Sequence, residues 1–269
     1  MKGRFSVRMK STGSHAKIIL HDTAEDGWIA AVGSCNWLSS PFQSVELSVI
    51  LRNPHVVADL ALSIQRLVGR RGLADDMATE MAVTTRDLRR HMTSSGPAKV
   101  SIVIGEIHDQ LIRTASGASY RFLVGSHRLG STARPGAIMQ GEMAASRNGV
   151  KAVVLYTQPS GPLKNRHTRV LEEEAETNGL ILRRTRKPPL HGKFAVWDHD
   201  DIVITSLNWA SAATDPDFPW GDIGVHINLA GIGDELTARL EAILPELREL
   251  ESSDAARDRG TMDRTSQTR

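Results

Sequence analysis

The chain has 269 residues, 40% hydrophobic and 24% charged; this is the balance of a globular protein that can bury a sizeable core, and it excludes disorder throughout. Its net charge of +2 and pI near 8.8 permit a polyanionic partner without requiring one. With one cysteine, Cys35, no disulfide framework can form within the chain. No apolar run reaches the ~18 residues of a membrane span, and the basic N-terminus has no apolar core behind its charges, so the expectation is a cytoplasmic protein.

Residues 4–9 alternate as a short strand. Ala16–Leu20 and Trp28–Val32 are apolar runs either side of an acidic turn and predict a hairpin, followed by a third strand at Val45–Leu51. Asn53-Pro54 ends that strand. Helical spacing then begins at Val56, and a second helix is expected over Ala74–Met92. The segment 93–99 has linker composition. Beyond it helix and strand alternate. Gly105–Thr114 reads as helix, Tyr120–Val124 as strand, Met139–Arg147 as helix and Val150–Tyr156 as a buried strand. Asn165–Thr177 is a charged helix stopped by Asn178-Gly179. Strands follow at Leu180–Arg184, Phe194–Trp197, Asp201–Thr205 and Ile223–Leu229, then an amphipathic helix over Asp234–Leu250. This order predicts an α/β fold with helices on a mixed sheet. From residue 253 to 269 the composition is that of a disordered tail.

An internal repeat runs through the chain. Residues 15–22 and 191–198 both read H-x-K-x4-D, with His15, Lys17 and Asp22 answered by His191, Lys193 and Asp198. Each is followed by S-x-N-W: Ser34, Asn36 and Trp37, then Ser206, Asn208 and Trp209. With each residue type at roughly one in twenty, even one H-x-K-x4-D is uncommon by chance.

The doubled motif resembles the signature of the phospholipase D superfamily. The resemblance implies a phospholipase D-like mixed sheet flanked by helices, in two pseudo-symmetric lobes that share one site. The first lobe would span 1–93 and the second 98–252. Only 14 residues precede His15, whereas 93 residues of the second lobe, 98–190, precede His191. The first lobe is therefore expected to be N-terminally truncated by about 80 residues, with the second copy as the ruler. A homodimer or a missing N-terminal segment would complete it and cover exposed sheet edges.

The implied chemistry is phosphodiester cleavage without a metal or cofactor. One histidine attacks phosphorus to form a phosphohistidine; the other protonates the leaving oxygen and then activates water. The family order makes His15 the nucleophile and His191 the acid/base. Lys17, Lys193, Asn36 and Asn208 would donate to phosphate oxygens, with Ser34 and Ser206 adding hydrogen bonds. Glu46 and Asp222 are the expected carboxylate partners that fix the imidazole tautomers. Asp22 and Asp198 are expected to be structural. Trp37 and Trp209 are expected to pack behind the site, Cys35 to face away as a small hydrophobe, and His21, His127, His167 and His199 to lie on the surface.

Three functions share these motifs. The basic residues Arg184, Arg186 and Lys187 lead into His191 and favour a nuclease on DNA or RNA. A phospholipase D or phosphatidyl transferase would use the same site, but no Trp- and Phe-rich interfacial helix is evident. A non-catalytic phosphate-binding module is the third reading.

Overall fold

A computed structural model describes residues 12–23, 25, 27–37, 43–70, 76–90, 97–130 and 136–250. The expected strand at 4–9, most of the linker at 93–99 and the tail lie outside the described residues.

The first part of the chain forms a three-stranded antiparallel sheet from β1 (Lys17–Thr23), β2 (Gly27–Gly33) and β3 (Ser48–Leu51). Gly27 takes a positive φ of 66° where the hairpin re-enters its second strand, a conformation that only glycine adopts without strain. Two helices follow, α1 (Pro54–Arg70) and α2 (Asp76–Arg90). Pro54 opens α1, where its missing N–H costs no hydrogen bond, and Asn53 Oδ1 accepts from the His55 N–H.

The remainder is a mixed α/β unit with helices flanking a seven-stranded sheet. Its elements are β4 (Lys99–Ile104), α3 (Ile107–Ala115), β5 (Arg121–Leu129), α4 (Gly136–Asn148), β6 (Lys151–Pro159) and α5 (Asn165–Thr177). Then come β7 (Leu180–Arg184), β8 (Phe194–Trp197), β9 (Asp201–Thr205), β10 (Ile223–Asn228) and α6 (Ile232–Ile243). The strand order is β4-β10-β9-β8-β5-β6-β7; β5, β6 and β7 run parallel to one another, and every other neighbouring pair is antiparallel. Residues 122–126 and 152–156, in β5 and β6, are buried throughout, as strands covered on both faces must be.

Two expectations need correction. No element is expected over residues 100–104, between the linker and the helix from Gly105, yet Lys99–Ile104 form the strand β4. Its alternation K-V-S-I-V-I is short and abuts Gly-Pro, so linker composition outweighed it. The strand expected over Val45–Leu51 begins only at Ser48 in β3. The residues before it leave the sheet, and Val45 instead bridges Leu190 in parallel.

The two motif copies sit on matching scaffolds. A hairpin, a third antiparallel strand and a helix occur in the order β1-β2-β3-α1 and again as β8-β9-β10-α6. In the second copy β5 pairs with the free side of β8. Among the described residues β1 pairs with β2 alone. The two units share core. Leu47 joins Leu190, Phe194, Ile204 and Leu244, while Ile223 and Val225 pack with Ala30, Val32, Leu51 and Leu60.

Candidate active site

Both motif histidines stand just before a hairpin, and backbone bonds fix where they point. The His15 N–H donates to Gly221 O at 2.7 Å, and the His191 N–H donates to Val45 O at 2.9 Å. Gly221 and Val45 each precede a carboxylate, Asp222 and Glu46. Each histidine is thus tied to the carboxylate segment of the other copy. Glu46 Oε1 lies 2.6 Å from His191 Nδ1, and Asp222 Oδ1 lies 3.1 Å from His15 Nδ1.

The serines hold those carboxylates by one repeated pattern. Ser34 Oγ donates to Glu46 Oε2 at 2.6 Å and accepts the Leu47 N–H at 3.1 Å, while the Ser34 N–H donates to Leu47 O at 2.9 Å. Ser206 Oγ donates to Asp222 Oδ1 at 2.7 Å and accepts the Ile223 N–H at 3.1 Å, with its own N–H on Ile223 O at 3.2 Å. Glu46 and Asp222 therefore occupy equivalent places despite unequal spacing from their serines. The extra residues of the second copy fall within the 207–221 loop.

The two lysines are buried at the start of their hairpins. Lys193 is fully buried, and its Nζ donates to His191 O at 2.7 Å and lies 3.4 Å from His191 Nε2. Lys17 is 8% exposed and donates likewise to His15 O. Burial lowers the pKa of both, to about 8 for Lys193, against the opposing pull of Glu46 and Asp222. Burial alone would raise the two carboxylates. Hydrogen bonds from His191 and Ser34 bring Glu46 below its ordinary range, and those from His15 and Ser206 do the same for Asp222.

The asparagines differ between the copies. β2 ends at Gly33 and β9 at Thr205, so both asparagines lie in the loops beyond the strands. Asn36 is exposed, whereas Asn208 is half-buried with its Oδ1 buried and no hydrogen-bond partner among the described residues. Of the expected substrate-binding cations, Arg184 is occupied within the fold, donating to Thr157 O at 2.7 Å and Asn165 Oδ1 at 3.0 Å. Arg186 and Lys187 are exposed on the segment that leads into His191.

The aspartates that end the motifs diverge as well. Asp198 Oδ1 accepts the Ser119 and Tyr120 N–H groups at 2.9 and 2.8 Å, fastening β8 to the start of β5. Asp22 is exposed. Trp209 is buried and packs edge-on against His108, with ring centroids 5.6 Å apart. Trp37 is half-buried, and Cys35 is a buried free thiol whose pKa burial raises.

One expectation about the histidines is overturned. His127 is no isolated surface residue: its ring meets that of His191 edge to face, with centroids 4.5 Å apart and planes at 63°. Gln158 Nε2 lies 3.0 Å from its Nε2. His127 and Gln158 sit near the carboxyl ends of the parallel neighbours β5 and β6, where α/β sheets assemble their sites. That position was the available signal, and it needed the strand order to be read. His108, fully buried behind Asp222, bonds Thr205 Oγ1 at 2.8 Å and Gly105 O at 3.1 Å.

No protein-family model matches the chain, and no curated protein matches it. Among solved structures it is similar to a polyphosphate kinase from Porphyromonas gingivalis, at 16% identity and a TM-score of 0.41, over 55% of this chain and 26% of that one. It is also similar to TrmBL2, an archaeal chromatin protein with a novel mode of DNA binding, at 14% identity and a TM-score of 0.34, over 77% of this chain and 71% of that one. The chain thus spans about a quarter of the length of the polyphosphate kinase. Neither likeness bears on what the site does. No helix among the described residues is long and apolar enough to cross a membrane.

Proposed function

We propose that the chain is a phosphodiesterase of the phospholipase D superfamily that cleaves nucleic acid through a phosphohistidine intermediate, in a site shared between its two motif copies. The observation that carries this reading is the crossed arrangement of two histidine–carboxylate pairs around two buried lysines. Buried ammonium groups are costly unless something anionic meets them. A phosphodiester would supply that charge, and the lysines would stabilise the negative charge that grows on phosphorus in the transition state.

Each imidazole carries a carboxylate on Nδ1, which leaves Nε2 for the substrate. One Nε2 would attack phosphorus while the other gives a proton to the leaving oxygen; water then reverses the roles. The lysines supply the cationic charge, so the reaction needs no metal. Exposed Arg186 and Lys187 before His191 favour a polyanionic substrate over an apolar one.

The test is incubation of the full chain with end-labelled DNA and RNA in EDTA, beside His191→Ala. Cleavage by the wild type and none by the variant supports the reading. No nucleic-acid cleavage but release of head group from phosphatidylcholine vesicles moves the substrate to phospholipid. No turnover of either substrate leaves a phosphate-binding module.

A further inference from the structure

The two histidines are equivalent in sequence but differ in their surroundings. The His191 side chain is 15% exposed and its partner Glu46 17%, against 49% for His15 and 23% for Asp222. Asymmetry of this kind separates a group that keeps one protonation state from a group that exchanges protons with water.

The groups facing His191 specify its tautomer. Glu46 Oε1, a carboxylate oxygen, lies 2.6 Å from Nδ1, which places the proton on Nδ1. Lys193 Nζ, a donor, stands 3.4 Å from Nε2, which leaves Nε2 as a lone pair. His127 covers the ring with its own ring, and Gln158 donates its amide hydrogen to His127 Nε2, so His127 holds its proton on Nδ1. Burial above all, with the charges of Lys193 and Arg128 nearby, lowers the His127 pKa to about 4. The covering ring is therefore neutral. Among the described residues His15 has no such cover. Its Nδ1 faces two acceptors, Asp222 Oδ1 and Ser206 O, both at 3.1 Å, and no partner for its Nε2 is found among the described residues.

We propose that His127, held by Gln158, is a positioning residue that keeps His191 as the neutral attacking imidazole and leaves the open His15 as the acid/base, the reverse of the order that the motif resemblance implies. The inference rests on the phosphodiesterase reading. In the first step the His191 Nε2 lone pair forms the P–N bond. The P–O bond to the leaving group breaks, its electron pair stays on that oxygen, and the oxygen takes the proton from His15 Nε2. In the second step His15 removes a proton from water. The water oxygen attacks phosphorus, and the P–N electron pair returns to His191. The asymmetry follows from the fold, because β5 and β6 carry His127 and Gln158 and the described residues hold no counterpart of these strands beside His15.

Bis(p-nitrophenyl) phosphate tests the assignment, because its first leaving group departs without a proton. With His15→Asn, a burst near one equivalent of nitrophenolate per chain should be followed by a stall, with the nitrophenyl phosphoryl group found on His191 by mass spectrometry. With His191→Asn there should be no burst. A burst from His191→Asn with label on His15 overturns the assignment. No turnover by the wild type, with this probe or with labelled DNA and RNA, overturns the phosphodiesterase reading itself. For the positioning role, the burst rate is followed against pH. Glu46 and Lys193 face His191 beside His127, with Lys17, Asp222 and Arg128 among the charges around them. His127→Ala should move the acid limb of the burst, as water replaces the ring that covers His191. His127→Phe keeps the ring and should leave the limb in place. Equal slowing at all pH values in both variants would show a merely structural ring and overturn the positioning role. The 15N spectrum of histidine-labelled wild type is independent of folding in the variants: an unprotonated Nε2 on His191 supports the assignment, and a protonated one overturns it.

Discussion

Glu46 stands 2.6 Å from the ring of His191, a residue of the other motif copy, and not beside His15, whose motif it follows in sequence. The Val45 carbonyl enforces this crossing by accepting the N–H groups of both His191 and Gly192, at 2.9 and 2.8 Å. Neither copy can therefore form its histidine–carboxylate pair alone.

A double-mutant cycle should detect the crossing. Glu46→Gln and His191→Gln should couple by about 1–3 kcal/mol in denaturant unfolding, since both groups are largely buried. The cross of Glu46→Gln with His15→Gln should be additive. Asp222 with His15 should couple by less than about 1 kcal/mol, because water screens the half-exposed ring.

Lys193 sets an alkaline limit. Its pKa falls from 10.5 to about 8 on folding because of burial. Between those values the unfolded chain binds more protons, so stability should rise with pH across that window and be flat below it. Activity should do the opposite, declining above about pH 8 as the ammonium charge is lost. Measuring kcat/KM from pH 6 to 10 checks this; Lys193→Arg should abolish the decline, whatever its absolute rate.

Gly33 is where a methyl group cannot fit. A Cβ there would stand 2.2 Å from Leu47 O and 2.7 Å from Ser48 Cα, both backbone atoms. Gly33→Ala should destabilise by about 1–3 kcal/mol. It should also lower kcat, since Leu47 O holds the serine that holds Glu46. Thermal unfolding and single-turnover rates would show both effects.

The two motif aspartates should respond unequally. Asp198→Ala removes the acceptor of two backbone N–H groups at a residue with φ of 51°. A loss of about 1–3 kcal/mol is expected. Asp198→Asn keeps one acceptor oxygen and tolerates the positive φ, so it should cost less. Exposed Asp22→Ala should change stability by under about 0.5 kcal/mol. Urea unfolding of the three variants orders them.

Much of the architecture could be read along the chain, because local patterns are enough where a segment makes its own structure. The bounds of α5, β7, β8 and β9 follow from period, length and stop signals such as Asn178-Gly179. The failures fall where tertiary contact overrides pattern. The apolar run at 45–51 looks like one strand, yet its first residues are drawn across to Pro189 and Leu190. β4 is short and finds its partner, β10, more than a hundred residues away.

The candidate site divides in the same way. The doubled H-x-K-x4-D and S-x-N-W strings identified His15, Lys17, His191, Lys193 and the serines without any structure, because the repeated spacing marks them in the sequence alone. Which carboxylate serves which histidine could not be read there, since it depends on hydrogen bonds between segments far apart in the chain. The same holds for His127. Its place over His191 comes from the adjacency of β5 and β8, and strand order is a property of the folded sheet. By itself the sequence determined which residues the repeated motif marks. Tertiary packing decided their pairing, their burial and the inequality between two histidines that the sequence writes identically.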